Sequence, residues 1–333
     1  MSYLNHALKN KRVLVTGATG FIGGRLAERL AAKEGAIVTG TGRNLAKVPH
    51  VQAAGVQLVQ ADLLDETAMR QVMAGQEFVF HCAAWLMRHG GEEEAYQFNV
   101  TATETLVRLA AEAGVHRFVQ VSSFAAYGPP TQAVMDESVP LNPNQPDVYG
   151  RTKALGEMRA FAVGQEAGVE VTAIRPATVY GPRSIDWTLR LMQMVQKGVP
   201  VILGKADGLA YPVYIDNLID GMMLAAVRPE AAGEAFQFCD PQVDWRTFFG
   251  YYGRMCHKPL RSLPQWGAVI LAWAAETFHL PLPLNRERLK FYSRKTRFPT
   301  TKAETLLGYQ PRVSLDEGMA RAEAWLREEG YLS

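Results

Sequence analysis

Residues 11–25 read Lys11-Arg12-Val13-Leu14-Val15-Thr16-Gly17-Ala18-Thr19-Gly20-Phe21-Ile22-Gly23-Gly24-Arg25. Val13, Leu14 and Val15 are a short apolar run suited to a strand buried on both faces. Gly17, Gly20 and Gly23 follow at three-residue spacing, and Leu26, Ala27 and Leu30 then begin a helical pattern. Strand, glycine turn and helix together form the context in which a glycine fingerprint carries meaning. The glycines let backbone N–H groups approach a pyrophosphate, and the helix N-terminus offers that anion its partial positive charge. The spacing is G-x-x-G-x-x-G, one residue longer than G-x-G-x-x-G.

Working outward, Ala36 to Thr41 has the pattern of a second strand, and its end is where a dinucleotide fold selects its cofactor. NAD calls for an acidic residue there to hold the ribose 2′-OH. Thr41-Gly42-Arg43-Asn44 contains none. Arg43 can pair with a 2′-phosphate, with Gly42 leaving room, so NADP(H) is expected over NAD(H), although NAD(H) stays possible. A third strand, Val56 to Val59, leads to Asp62 and Leu63. There Asp62 either accepts from an adenine amino group, with Leu63 against the ring, or caps the helix from Glu66 to Met73. A fourth strand, Phe78 to His81, runs into the small residues Cys82, Ala83 and Ala84, which let a cofactor pass close to the backbone. His81 itself has the look of a packed strand residue. Glu92 to Gly114 has the pattern of one long helix, within which Asn99 serves either a neighbouring backbone or the cofactor.

A fifth strand, Arg117 to Val121, ends at Ser122 and Ser123, whose hydroxyls are expected to face the ligand crevice. Asp147 looks like the N-cap of a helix from Val148 to Glu166. Tyr149 and Lys153 on it are four apart, hence on one face. An ammonium near a phenol favours the phenolate and lowers its pKa, which suits the phenol for proton transfer at a carbonyl or alcohol oxygen. A sixth strand, Val169 to Ile174, is followed by Arg175-Pro176, read as the exit from the nucleotide domain. Asp216 and Asn217 are expected to cap the helix Leu218 to Val227.

Composition excludes several classes. With 333 residues, 48% apolar and 20% charged, the chain suits a folded α/β protein. A net charge of +2 without a clustered basic run gives no expectation of a nucleic-acid partner. Three scattered cysteines, and no metal-ligand spacing, give no expectation of a metal and favour a reducing, cytoplasmic compartment. Met1 to Asn10 lacks a signal-peptide apolar region. The segment Leu263 to Leu284 is rich in large apolar residues, among them Trp266, Trp273, Phe278 and Leu280. Gln265, Glu276, His279, Pro281 and Pro283 interrupt it too often for a membrane span. It is either a helix packed over the substrate site or an apolar lid or interfacial contact. The basic residues from Arg286 to Arg297 keep peripheral membrane contact through 263–297 open.

With Gly17, Gly20, Gly23, Ser123 and Tyr149-x-x-x-Lys153 assembled, the chain resembles the extended short-chain dehydrogenase/reductase family, also called the NAD-dependent epimerase/dehydratase family. The motif T-G-A-T-G-F-I-G carries that family's glycine spacing. H-C-A-A at 81–84, N-V-T-A-T from Asn99, R-P-A-T-V-Y-G-P from Arg175, Y-I-D-N from Tyr214 and the closing L-G-Y-Q-P-R-V-S-L-D-E-G extend the likeness along nearly the whole chain. The resemblance implies a doubly wound parallel Rossmann sheet in residues 1–180, with 211–228 packing back on it. A smaller, mainly helical substrate-binding domain would take 181–210 and 229–333. It implies cofactor contacts from Gly17, Thr19, Gly20, Phe21, Ile22, Gly23, Arg43, Asp62, Leu63, Ala83, Ala84, Asn99, Tyr149, Lys153 and Pro176. Tyr149 would be the general acid/base, Lys153 would lower its pKa and bind the nicotinamide ribose, and Ser123 would hold the substrate oxygen.

Within the family, the apolar segment and the chain's ending look like the 3β-hydroxysteroid dehydrogenase-like branch. That implies a secondary alcohol or ketone on a steroid-like or long-chain substrate, lined by Trp85, Leu86, Phe124 and Trp187. Arg183 could instead meet a diphosphate, which keeps a sugar-nucleotide epimerase with tightly held NAD as an alternative. A non-catalytic cofactor binder is a third reading. Dehydratase chemistry is disfavoured because Ser123-Phe124-Ala125 lacks the Asp-Glu pair of those variants. The family also implies a homodimer through the helices at 92–114 and 148–166.

Overall fold

The computed structural model describes residues 7–86, 91–278 and 286–332. Seven strands form the central sheet: β1 (Arg12–Thr16), β2 (Ile37–Gly42), β3 (Gln57–Gln60), β4 (Phe78–His81), β5 (Arg117–Val121), β6 (Glu170–Pro176) and β7 (Ala235–Phe238). Every pairing is parallel, and the spatial order is β7-β6-β5-β4-β1-β2-β3. Strand order reverses between β1 and β4, and an open α/β sheet binds ligands beyond the carboxyl ends at such a switch point. The apolar runs of β1, β4 and β5 are buried because helices cover both faces of the sheet.

Eight helices bear on the site: α1 (Phe21–Ala32), α2 (Glu66–Met73), α3 (Ala102–Glu112), α4 (Val148–Ala167), α5 (Ile215–Val227), α6 (Trp245–Met255), α7 (Gln265–Thr277) and α8 (Leu315–Glu328). Helix α5 returns to the sheet, contacting α1, β5 and β6. The second half of the chain adds α6, α7 and small two-stranded pairings, Ile202–Leu203 with Ser262–Leu263 and Leu209–Ala210 with Val243–Asp244.

Several expectations change. The helix expected over 92–114 is split by a π-helical turn at Gln97–Thr101. Strand β6 runs on to Pro176, so Arg175 and Pro176 still belong to the sheet. Strand β7 lies inside 229–333, and its sequence, Ala-Phe-Gln-Phe, hides a strand behind the buried polar Gln237.

Asp216 and Asn217 do not cap α5, whose N-cap is Tyr214. Asp216 accepts two hydrogen bonds from Arg25 of α1, at 2.7 and 3.0 Å, and lies 3.5 Å from Arg321 of α8. Asn217 donates to Asp240 (2.9 Å) and to the Val313 carbonyl (2.8 Å), and accepts from the Arg312 and Val313 N–H groups. Both side chains therefore staple the carboxyl-terminal segment and α1 to the sheet. Their partners lie so far along the chain that no local pattern announces them.

Among the described residues no helix is long and apolar enough to cross a membrane, and no cluster of histidine, cysteine, aspartate and glutamate could hold a metal. Residues 279–285, with His279, Leu280, Pro281 and Pro283, lie outside the described residues, as do residues 1–6.

Candidate functional site

A cleft of about 2410 Å³ opens along the carboxyl ends of the strands. At one end stands the glycine turn. Gly17 has φ +71°, and a Cβ there would lie 2.7 Å from the Ala83 nitrogen. A Cβ on Gly23 would lie 2.4 Å from the Gly17 carbonyl oxygen. Neither position accepts a side chain without moving backbone, so β1, the turn and the loop after β4 meet as bare main chain. Helix α1 begins at Gly20 with no side-chain cap and no acid in its first turn, which leaves its N–H groups free for an anion. Thr19, Phe21, Ile22, Ala83 and Ala84 line the cleft around it. This cradle fits the pyrophosphate of a dinucleotide.

Arg43, at the end of β2, also lines the cleft. Its guanidinium lies over the Phe98 ring, 5.5 Å from the centroid, and no carboxylate pairs with it among the described residues. Gly42 packs closely on Thr19, since a Cβ there would lie 2.4 Å from the Thr19 hydroxyl. Asp62 does not cap α2. Asp65 does, accepting from the Ala68 N–H at 3.0 Å, while Asp62 closes a turn by accepting from the Leu64 N–H and faces the cleft with Leu63.

Asn99 does not line the cleft. It accepts from the Trp85 N–H (2.8 Å) and donates to the Thr152 hydroxyl (3.0 Å), tying the loop after β4 to α4. The π turn brings its backbone so close to α4 that a Cβ on Gly156 would lie 2.1 Å from the Asn99 carbonyl oxygen. His81 is saturated as well, its ring nitrogens 2.8 Å from the Thr16 hydroxyl and 3.2 Å from that of Thr103. Burial, reinforced by the charge of Lys153, pushes His81 down to about 3 and keeps it neutral.

Ser123, Tyr149 and Lys153 come together on the cleft wall below β5, where Pro176 also faces the cleft. The Ser123 hydroxyl accepts from the Ala125 N–H at 3.1 Å and hydrogen-bonds Tyr149. Asp147 caps α4, accepting from the Gly150 N–H at 2.7 Å. Gly150 lets α4 press against the Ser123 turn, because a Cβ there would lie 2.5 Å from the Ala125 carbonyl oxygen. Lys153 donates to the Val121 carbonyl at 2.6 Å.

In the protein alone, burial is the largest influence on both groups. Desolvation holds Tyr149 above its usual value, against the hydrogen bond from Ser123 and with the Asp147 charge adding to the rise. Desolvation pushes Lys153 down to about 8. At neutral pH the wall presents a protonated phenol beside an ammonium, a proton donor ready for a carbonyl oxygen.

Beneath this wall lies a buried network. Arg175 clasps Glu157 of α4 at 2.5–3.1 Å and donates to the Tyr127 hydroxyl at 2.8 Å. Tyr127 donates to Gln237 of β7 at 3.0 Å, and Gln237 donates to the Met135 and Pro299 carbonyls. The Ser123 turn, α4 and two strands are thereby locked together.

The other end of the cleft is aromatic. Phe124 stacks on Phe298 (centroids 4.4 Å, 28° between planes), and Tyr211 meets Phe298 edge-on at 5.1 Å. Trp187 stacks on Trp245 at 6.4 Å. Leu86, not the half-buried Trp85, lines the cleft on the loop after β4. Arg183 is engaged by Glu28 at 2.7 Å. Phe298, Tyr211, Phe291 and Tyr292 were not singled out from the sequence. Tyr211 stands just ahead of the Y-I-D-N stretch, whereas Phe298 has no local signal. The hydroxyls of Tyr211 and Ser122, both buried against the cleft, have no protein partner among the described residues.

Residues 13–239 match the NAD dependent epimerase/dehydratase family, and the chain belongs to it. It is 29% identical to the 3 beta-hydroxysteroid dehydrogenase/Delta 5-->4-isomerase of Mycobacterium tuberculosis, over 92% of this chain and 88% of that protein. It is 26% identical to the 2-alkyl-3-oxoalkanoate reductase of Shewanella oneidensis, over 96% of this chain and 87% of that one. The fold is shared with the epimerase Mth375 of Methanothermobacter thermautotrophicus, at TM-score 0.81 and 23% identity, covering 98% of this chain and 96% of that one.

Proposed function

We propose that the protein is an NADP(H)-preferring oxidoreductase that interconverts a secondary alcohol and a ketone on an apolar substrate. The observation that carries this reading is one continuous cleft. The glycine cradle lies at one end, the Ser123–Tyr149–Lys153 wall beside it, and the Phe124–Phe298–Tyr211 aromatic wall at the other. A bound nicotinamide dinucleotide would supply or accept the hydride. Gly17, Gly20, Gly23 and the start of α1 hold its pyrophosphate, Arg43 meets a 2′-phosphate, and Lys153 holds the ribose. Tyr149 gives its proton to the carbonyl oxygen, and Ser123 holds that oxygen in place. The names of the two curated relatives, a hydroxysteroid dehydrogenase and an alkyl-oxoalkanoate reductase, agree with an apolar ketone or alcohol.

Exchange of nucleotide sugars is the weaker reading. It calls for cations free to meet a diphosphate, and Arg183 is spent on Glu28 while Arg190 pairs with Asp186 at 3.0 Å. The test is NADPH oxidation across hydrophobic ketones of increasing size, with NADH in parallel. Turnover that favours NADPH and larger ketones supports the reading. A melting temperature raised by a UDP-sugar, without net oxidation of cofactor, would replace it with epimerisation.

A further inference from the structure

Helix α7 buries the wrong residues for a core element. Gly267, Ala268, Ala272 and Ala275 are its buried positions, whereas Trp266 is 71% exposed, Ile270 55%, Trp273 51% and, just beyond the helix, Phe278 63%. A helix packed for stability turns its large apolar side chains inward. Trp266, Ile270 and Trp273 follow at four- and three-residue steps and share one face, which solvent covers. Single exposed apolar residues are ordinary, but a contiguous aromatic face marks an interaction surface.

We propose that this face of α7 docks in the interfacial layer of an anionic lipid bilayer. Length and composition suit that occupant. Thirteen residues of helix span about 20 Å, too short to cross the roughly 30 Å hydrocarbon core but able to lie in its surface plane. Tryptophan favours the boundary between headgroups and acyl chains. Charge selects the lipid. The one acid on α7, Glu276, is held by Arg286 through the backbone N–H (2.9 Å) and the guanidinium (2.5 Å). The helix Arg286–Tyr292 packs against α7 and presents the exposed Lys290. Anionic headgroups complement that exposed cation.

The docked face adjoins the cleft, since Leu271 of α7 and Lys290 both line it. An apolar substrate would thus pass from lipid to Tyr149 without crossing water. That last step rests on the proposed reductase reading; docking itself does not.

The experiment is flotation of the full-length protein with phosphatidylcholine vesicles, with and without phosphatidylglycerol, read also by tryptophan fluorescence. The expected result is binding to the anionic vesicles, weakened by salt and by Lys290→Glu. A Trp266→Gln/Trp273→Gln double variant should lose ~100-fold in partitioning, about tenfold for each side chain withdrawn. It should keep the wild-type melting temperature and wild-type turnover of a short, water-soluble ketone. Failure of the wild type to float, or equal flotation of the double variant, overturns the proposal. So does a dimer that the double variant splits with no vesicle binding, which would make a second copy the occupant. Flotation by a protein that reduces no ketone would refute the reductase reading and leave the docking surface standing.

Discussion

The two ends of the cleft are built by different physics. At the glycine end, positions are set by main chain against main chain. A Cβ on Gly17 or Gly23 would meet backbone atoms at 2.7 and 2.4 Å. At the aromatic end, Phe124, Tyr211 and Phe298 arrive from three separate segments and meet ring on ring, and Trp187 stacks on Trp245 beside them. The first end cannot change without breaking the sheet's crevice. The second can change by exchanging side chains on an unchanged fold. A family that keeps one dinucleotide site and varies its substrates needs this division of labour.

The largest expected effect lies between the two ends. Tyr149→Phe should lower turnover about 10³-fold while leaving cofactor affinity intact, because only the proton donor is lost. Stopped-flow turnover and cofactor titration separate the two quantities. At the glycine end, Gly17→Ala should weaken dinucleotide binding together with the fold. A left-handed alanine pressed against Ala83 costs roughly 2–3 kcal/mol, visible in denaturant melts. Unchanged stability there would break the contrast between the ends.

The pH dependence sharpens it. Folding depresses Lys153 from 10.5 to about 8, so burial of its charge costs stability below about pH 8. The cost fades as pH rises through that window and is absent above 10.5. Wild-type stability relative to Lys153→Met should therefore rise across the window, by on the order of 3 kcal/mol at most. A flat difference curve would place the lysine in water.

Arg43→Ala should weaken NADPH ~10- to 100-fold and leave NADH nearly unchanged, the loss of a charge-assisted contact to phosphate. At the aromatic end, Phe298→Ala should raise KM for bulky ketones about tenfold with kcat and cofactor affinity preserved. A comparable loss of cofactor binding would show that the two ends are not separable.

The same division explains how much could be read from the chain. Strands β1, β4 and β5 and helices α1, α2 and α4 announce themselves through apolar runs, glycine punctuation and the Asp147 cap. Ser123, Tyr149 and Lys153 could be named because each sits at a fixed offset on one of these elements. The π turn at Asn99 was not legible, because it depends on Gly156 of α4 meeting that backbone across the fold. The partnering of Asp216 with Arg25 and Arg321 was hidden for the same reason. The burial of Tyr149 and Lys153 was not legible either, because spacing reports that two residues share a face and says nothing of how much water either keeps. Phe298 and Tyr211 became cleft residues only through tertiary packing.

We propose that this cleft couples an NADPH-binding glycine cradle to reduction of an apolar ketone. The most direct measurement is kcat/KM for NADPH oxidation over a homologous series of ketones of growing chain length, with Tyr149→Phe as the control. The expected result is a rise with chain length that Tyr149→Phe abolishes. Absence of turnover with every ketone, in protein shown to bind NADPH, would contradict it.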